Sequence, residues 1–167
     1  MSERSWILTL LSLLAIGVYM TRKNASPILG ITAHLPRGFR NKNPLNIEYN
    51  PRNNWTGQTG IESAGRFATF GSMEYGVRAG AKLVRNYMRR HGLRTVYGII
   101  NRWAPSHEND TNAYAEHVAS KLGVSPYEPI QESDIPELIY HMIKHENGEY
   151  LDRETVEQGA RLAGVLV

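Results

Sequence analysis

The stretch HMIKHENGEY, residues 141–150, ends an apolar stripe on a carboxylate. Ile135, Leu138, Ile139, Met142 and Ile143 recur at the three- and four-residue steps of a helix face turned to a core, and position 146, next on that face, is glutamate. Gly148 follows as a left-handed helix end. A carboxyl so placed loses water to the core and faces the carbonyl-rich, negative end of the helix dipole. Both effects favour the protonated form and tune Glu146 toward general-acid work near neutral pH. The competing reading is a helix that frays at His145 and leaves Glu146 in water or beside a surface arginine. His141 and His145, one turn apart, have the spacing of a metal pair, but no third ligand accompanies them, so no metal or other cofactor is expected.

A second set of polar groups lies in RGFRNKNPLNIEYNPRNNWTGQTGIESAGRFATF. Amides such as Asn41, Asn43 and Asn46 can hydrogen-bond sugar hydroxyls and acetamides, while aromatic faces such as Trp55 pack on a pyranose ring. The mixture suits a glycan groove. Alternatively, the asparagines support tight turns around Pro44. Arg37, Arg40 and Lys42 with nearby aromatics raise a nucleic-acid reading, but the cations form no continuous stripe with those rings, and no nucleic acid is expected as partner. Glu62 in TGIESAG is a second candidate carboxylate and Glu48 in NIEYN a third. Glu108 and Asp110 in WAPSHENDT read as turn and capping groups.

These groups need elements to hold them. Residues 37–70 show little helical periodicity and read as ordered loops with a small hairpin. Ser72 can cap a helix carrying Val77, Ala81, Val84 and Met88 and ending at Gly92. Thr95 begins another through Trp103, stopped by Pro105; Asp110 or Thr111 begins a third that ends at Gly123 with Tyr114, Val118 and Leu122 on one stripe. Asp134-x-x-Glu137 reads as a capping box for the helix of Glu146, and a last helix spans about Arg153 to Ala163. Five short helices and one loop-rich lobe imply an α+β, mainly helical domain over residues 37–167.

The chain of 167 residues, 41% hydrophobic and 21% charged, is long enough for one such domain with a full core. It has no cysteine, which excludes disulfides and thiolate metal sites. The net charge of +3 leans toward anionic partners. Arg85, Arg89, Arg90 and Arg94 fall mostly on one helical side and read as a solvated face. The run WILTLLSLLAIGVYM, Trp6 to Met20, is uncharged, follows Arg4 and precedes Arg22 and Lys23. It is read as an N-terminal transmembrane helix over residues 5–21 within an anchor of residues 1–24, inserted in a lipid membrane, rather than as a cleaved signal. Residues 25–36 then form a linker.

The segments RGFRNKNPLNI, WTGQ, FATFGSMEYGVRA, NRWAPSHENDTNAYAEHV and KHENG together resemble a family of phage virion proteins of lysozyme-like or lytic transglycosylase-like character, over roughly residues 37 to 164. A broader similarity is to the lysozyme superfamily and its flagellar-type glucosaminidases. In those, a catalytic Glu-Ser-Gly helix precedes an Asn-rich loop, a Trp-containing hairpin and an F-x-x-F/Y-x-S helix entry. Here the matching loop and hairpin come first and LIYHMIKHENG comes last, as in a circular permutation. The resemblance implies a lysozyme-like domain whose partner is bacterial peptidoglycan, with Glu146 protonating the bond between N-acetylmuramic acid and N-acetylglucosamine. Glu62 would be the second carboxylate if the enzyme is a hydrolase, and Asn41, Asn43, Asn46, Trp55, Trp103 and Tyr114 would bind substrate. It also implies a single-pass protein of a virion membrane or host envelope, in contact with other virion proteins and acting during entry or lysis. A non-catalytic virion protein using such a body to bind glycan or neighbouring subunits is the rival.

Overall fold

Residues 35–105 and 110–165 are described by the computed structural model of the protein. A four-residue helix, α1 (Arg37–Arg40), leads into a loop, then a hairpin of β1 (Gln58–Ile61) and β2 (Ala68–Phe70). The helices α2 (Met73–His91), α3 (Val96–Trp103), α4 (Thr111–Leu122), α5 (Ile135–Asn147) and α6 (Arg153–Leu162) follow, with a single 3-10 turn at Glu132–Asp134 before α5. The two strands are antiparallel, pairing Gln58 with Phe70 and Ile61 with Ala68 across an irregularity between Gln58 and Gly60. The fold is thus mainly helical with a small two-stranded sheet.

Local signals explain most boundaries. Thr95 accepts from the Gly98 N–H and Asp110 from the Ala113 N–H, satisfying donors that open α3 and α4. Gly92, Gly123 and Gly148 close α2, α4 and α5 in the left-handed conformation. Asp152 caps α6 through the Thr155 N–H. Two capping assignments change: Ser72 stands at the N-cap of α2 but makes no side-chain cap bond, and the box before α5 moves. The reciprocal box is formed by Gln131 and Asp134 around the 3-10 turn, whereas Asp134 makes no side-chain cap on α5. Glu137 instead pairs with Arg153, which leads α6. The 3-10 turn shifts the polar start one turn upstream of the box expected at Asp134-x-x-Glu137. One helix, α2, is also 19 residues long rather than short.

That long helix organises the body. Its stripe Val77, Ala81, Val84 and Met88 is buried together with Ile99 and Ile100 of α3, Tyr114 and Val118 of α4, and Leu138, Ile139, Met142 and Ile143 of α5. Two glycines on α2 let the loop lobe come close. A Cβ at Gly76 would stand 2.2 Å from the Lys42 carbonyl oxygen, and one at Gly80 would stand 2.1 Å from Leu45 Cδ1. The loop 42–45 therefore lies in a groove that any larger residue would fill. On α6, a Cβ at Gly159 would meet Val77 Cβ at 2.5 Å, so α6 also seats directly on α2. Arg78 and Arg85 donate to the carbonyls of Leu162 and Gly164, satisfying acceptors left over at the end of α6.

The membrane expectation is corrected. Among the described residues no helix is long and apolar enough to cross a membrane. The described fold is thus a mainly helical domain without a membrane span, and it carries neither a transmembrane helix in the fold class nor a single-pass placement in a virion membrane or envelope. Residues 5–21, on which that expectation was placed, lie outside the described residues, as do the anchor 1–24 and nearly all of the linker.

Candidate active site

The loop after α1 is built around an asparagine that never reaches solvent. Asn43 is 0% exposed; its Nδ2 donates to the Ile47 and Ala68 carbonyls at 2.9 Å each, and its Oδ1 accepts from the Ile47 N–H at 2.9 Å. This stitches the loop to β2. Asn46, further along the loop, has φ +48°, a left-handed conformation that asparagine tolerates better than most residues. Asn147 of α5 completes the connection, donating to the Pro44 carbonyl at 2.7 Å and to Ile143 O at 2.9 Å. Loop and helix end are thereby fixed to each other.

Glu146 lies at this junction. Its Oε2 accepts from Asn46 Nδ2 at 3.1 Å and its Oε1 from the Tyr114 hydroxyl at 3.1 Å. Trp103 supplies a third side-chain hydrogen bond. Burial raises the carboxyl above the usual glutamate range, and the three donors, which favour the anion, only partly offset it. Tyr114 is 2% exposed, and burial together with the Glu146 charge holds its phenol well above its ordinary pKa, so it stays a donor. Its ring stacks on His145 at 3.6 Å between centroids and 10° between planes.

One side of Glu146 opens into a cleft of about 420 Å³. Asn46, Glu48, Arg66 and Phe67 line it from the loop lobe, and Trp103 to Pro105 line it from the end of α3. Two other depressions, beside Tyr140 and Ile130, are smaller, about 40 and 120 Å³, whereas the Glu146 cleft has room for a small organic ligand. Arg66 Nε meets Glu48 Oε1 at 2.9 Å, so a charged pair marks the rim. The guanidinium carbons of Arg37 and Arg66 lie 4.5 and 4.9 Å from the centre of the Phe67 ring. With cations on Phe67, Trp103 is the other aromatic side chain that lines the cleft.

The expected residues divide into those gathered at the cleft and those used elsewhere. Glu146, Asn46 and Trp103 come together there. Tyr114 joins them from beneath, as a group that holds Glu146 and not as a substrate platform. Glu62 takes another part. Its carboxylate accepts from Arg37 Nε at 2.8 Å and Arg37 NH2 at 2.6 Å, from Asn41 Nδ2 at 2.8 Å and from the Phe67 N–H at 2.9 Å. Led by the Arg37 hydrogen bonds, these contacts hold its pKa at about 2. A carboxylate so occupied is a brace between α1 and the hairpin and has no lone pair to offer a reaction, which corrects its assignment as second catalytic carboxylate. Asn41 and Asn43 are corrected with it, the first by bonding Glu62 and the second by burial. Trp55 packs half-buried against the core, its indole N–H enclosed without a partner among the described residues, and it does not line the cleft.

The histidines are also accounted for. His141 meets Glu137 Oε1 at 2.9 Å, while His145 lies on Tyr114. Among the described residues no group of three or more His, Asp or Glu side chains is placed to hold a metal ion. Asp110 caps α4 as expected, and Glu108 lies outside the described residues. Sequence reasoning missed Asn147, although an asparagine one position before the closing glycine of α5 was a visible signal. It also missed Arg37 as the partner of Glu62, for which nothing local gives notice.

No protein-family model matches the chain. Protein P5 of Pseudoalteromonas phage PM2 is 40% identical to it over 114 residues, which make up 67% of this chain and 71% of that protein.

Proposed function

We propose, for a chain that belongs to the family of the phage Protein P5, that it cleaves the peptidoglycan glycan strand as a lytic transglycosylase with Glu146 as its acid. The observation that carries this reading is the Glu146 carboxyl, raised in pKa by burial and held by Asn46 and Tyr114, lining an open polar cleft of about 420 Å³. In that setting Glu146 gives its proton to the glycosidic oxygen as the bond to C1 of N-acetylmuramic acid breaks. The C6 hydroxyl of the same sugar then closes on C1, forming an anhydro ring, and its proton returns to Glu146. One carboxyl serves both halves.

A hydrolase of the usual kind needs a second carboxylate to activate water or to attack C1. Glu62 is committed to Arg37 and Asn41, and Glu48, which does line the cleft, is paired with Arg66. The site therefore favours the mechanism that needs no second acid. Trp103 offers the ring against which a sugar packs, and the Asn46 amide orients the acid.

The test is lysis of purified cell walls by the full-length chain, with mass analysis of the fragments. Anhydro-muramoyl ends are expected from wild type, and Glu146→Gln should lower the rate by about a hundredfold or more while leaving the fold intact. Fragments with free reducing ends would point to hydrolysis instead. Binding of walls by wild type without any cleavage would make the protein a non-catalytic glycan-binding module.

A further inference from the structure

Gly38, in α1, carries no chemistry of its own, yet it lies at the closest approach in the site. A Cβ there would stand 2.4 Å from Asn147 Oδ1, 2.9 Å from the Asn43 carbonyl oxygen and 3.0 Å from Asn46 Oδ1. Asn46 Oδ1 and Asn147 Oδ1 are both buried and lack a hydrogen-bond partner among the described residues. Two unpartnered amide oxygens thus converge on a residue whose Cα presents only hydrogens, where weak C–H···O contact is all that is on offer. Buried amide oxygens ordinarily meet a donor, so the arrangement calls for a reason.

What it secures is visible from the other end of each amide. Asn147 Nδ2 holds Pro44 O at 2.7 Å, and Asn46 Nδ2 holds Glu146 Oε2 at 3.1 Å. The Asn43 N–H closes the loop back onto Gly38 O at 2.8 Å. Asn46 meanwhile keeps φ +48°, a backbone state that persists in a residue with a side chain only where the surroundings enforce it. We infer that Gly38 and Asn147 are positioning residues for the acid: the space left by a missing side chain in α1 lets the two amides close together, and this aims the Asn46 carboxamide at Glu146. Neither residue need touch substrate. Their effect runs through Asn46.

The inference rests on Glu146 being the acid of the site, but it is read on that carboxyl directly. The probe is a carbon-13 NMR titration of the Glu146 side chain in the full-length protein, assigned with Glu146→Gln. Other titratable groups that face it are Tyr114 of α4 against Oε1, the Glu48 and Arg66 pair in the cleft, and His145, stacked on Tyr114 with His117 6.1 Å beyond. None of these is among the atoms nearest a Cβ at Gly38.

Asn46→Gly keeps the positive φ accessible and removes the donor to the carboxylate, so the Glu146 midpoint should rise. Gly38→Ala should raise it in the same direction by pushing the Asn46 amide away, and should add nothing in the Asn46→Gly background. Asn147→Ala introduces no clash and is read the same way, which keeps the test decisive if Gly38→Ala does not fold. A wild-type midpoint in both Gly38→Ala and Asn147→Ala would overturn the inference. So would a shift from either that persists undiminished when Asn46 is already glycine. Failure of wild type to cleave walls would instead defeat the proposed function, while the titration would still decide what positions Glu146.

Discussion

The Tyr114 hydroxyl donates to Glu146 Oε1 at 3.1 Å while the Tyr114 ring lies 3.6 Å from that of His145, so one buried side chain of α4 grips two consecutive residues of α5. Removing the hydroxyl takes a donor from the carboxylate and leaves the stack in place. Tyr114→Phe should cost about 1 kcal/mol of stability and push the Glu146 pKa further up. A general acid works protonated, and its activity falls as pH rises through its pKa. The alkaline limb of the rate profile of Tyr114→Phe should therefore move to higher pH, and an unmoved limb would remove Tyr114 from the site's electrostatics.

The same raised pKa links Glu146 to stability. The folded chain holds that proton more tightly than the unfolded chain, so the favourable contribution is complete below the ordinary glutamate value and fades as pH rises through the folded pKa. Glu146→Gln removes a carboxylate that is costly to bury. Thermal melts should show the variant gaining on wild type as pH increases from 4 toward 8, the opposite of what loss of a structural ion pair would give.

Glu62 has the reverse sign. Its folded pKa of about 2 lies below its ordinary 4.5, with the Arg37 hydrogen bonds the leading cause. Its contribution is therefore full above pH 4.5 and lost as pH falls toward 2. Glu62→Gln should cost about 1–3 kcal/mol at pH 7, read from the urea midpoint, with the gap to wild type closing in acid. Wall lysis per folded molecule should persist in this variant, since the carboxylate is a brace.

Trp103 is tested by a pair of variants. Trp103→Phe keeps a ring in the cleft but removes the N–H, so its effect should fall on the pH limb. Trp103→Ala also loses the surface for a sugar, and KM should rise roughly tenfold, a difference of about 1.4 kcal/mol. Equal KM values for the two variants would exclude the ring as a substrate contact.

Asn43 separates a support from a ligand-binding group. Asn43→Ala leaves the Ile47 N–H buried without its partner and takes a donor from the Ile47 and Ala68 carbonyls, the first of which keeps the Ala68 N–H, at a cost of about 2 kcal/mol. Chemical denaturation should show that loss. If stability were unchanged while glycan affinity dropped, the side chain would have to reach the cleft, contrary to its three internal bonds.

The sequence by itself determined what local pattern can carry: the helix stripes, the caps at Thr95 and Asp110, the left-handed glycines 92, 123 and 148, and the half-sheltered place of Glu146 at the end of its stripe. These follow from the 3.6-residue period and from backbone preferences, which act within a few residues. Only the tertiary structure decided which polar groups meet. Asn46 bonds Glu146 across 100 residues of chain and Arg37 claims Glu62 across 25, while Asn41, Asn43 and Asn46, so alike in sequence, end in three different environments. A hydrogen bond depends on ångström-scale placement, and here that placement is set by how closely the 42–45 loop seats on Gly76 and Gly80 and by the room at Gly38, which no pattern in the loop itself records.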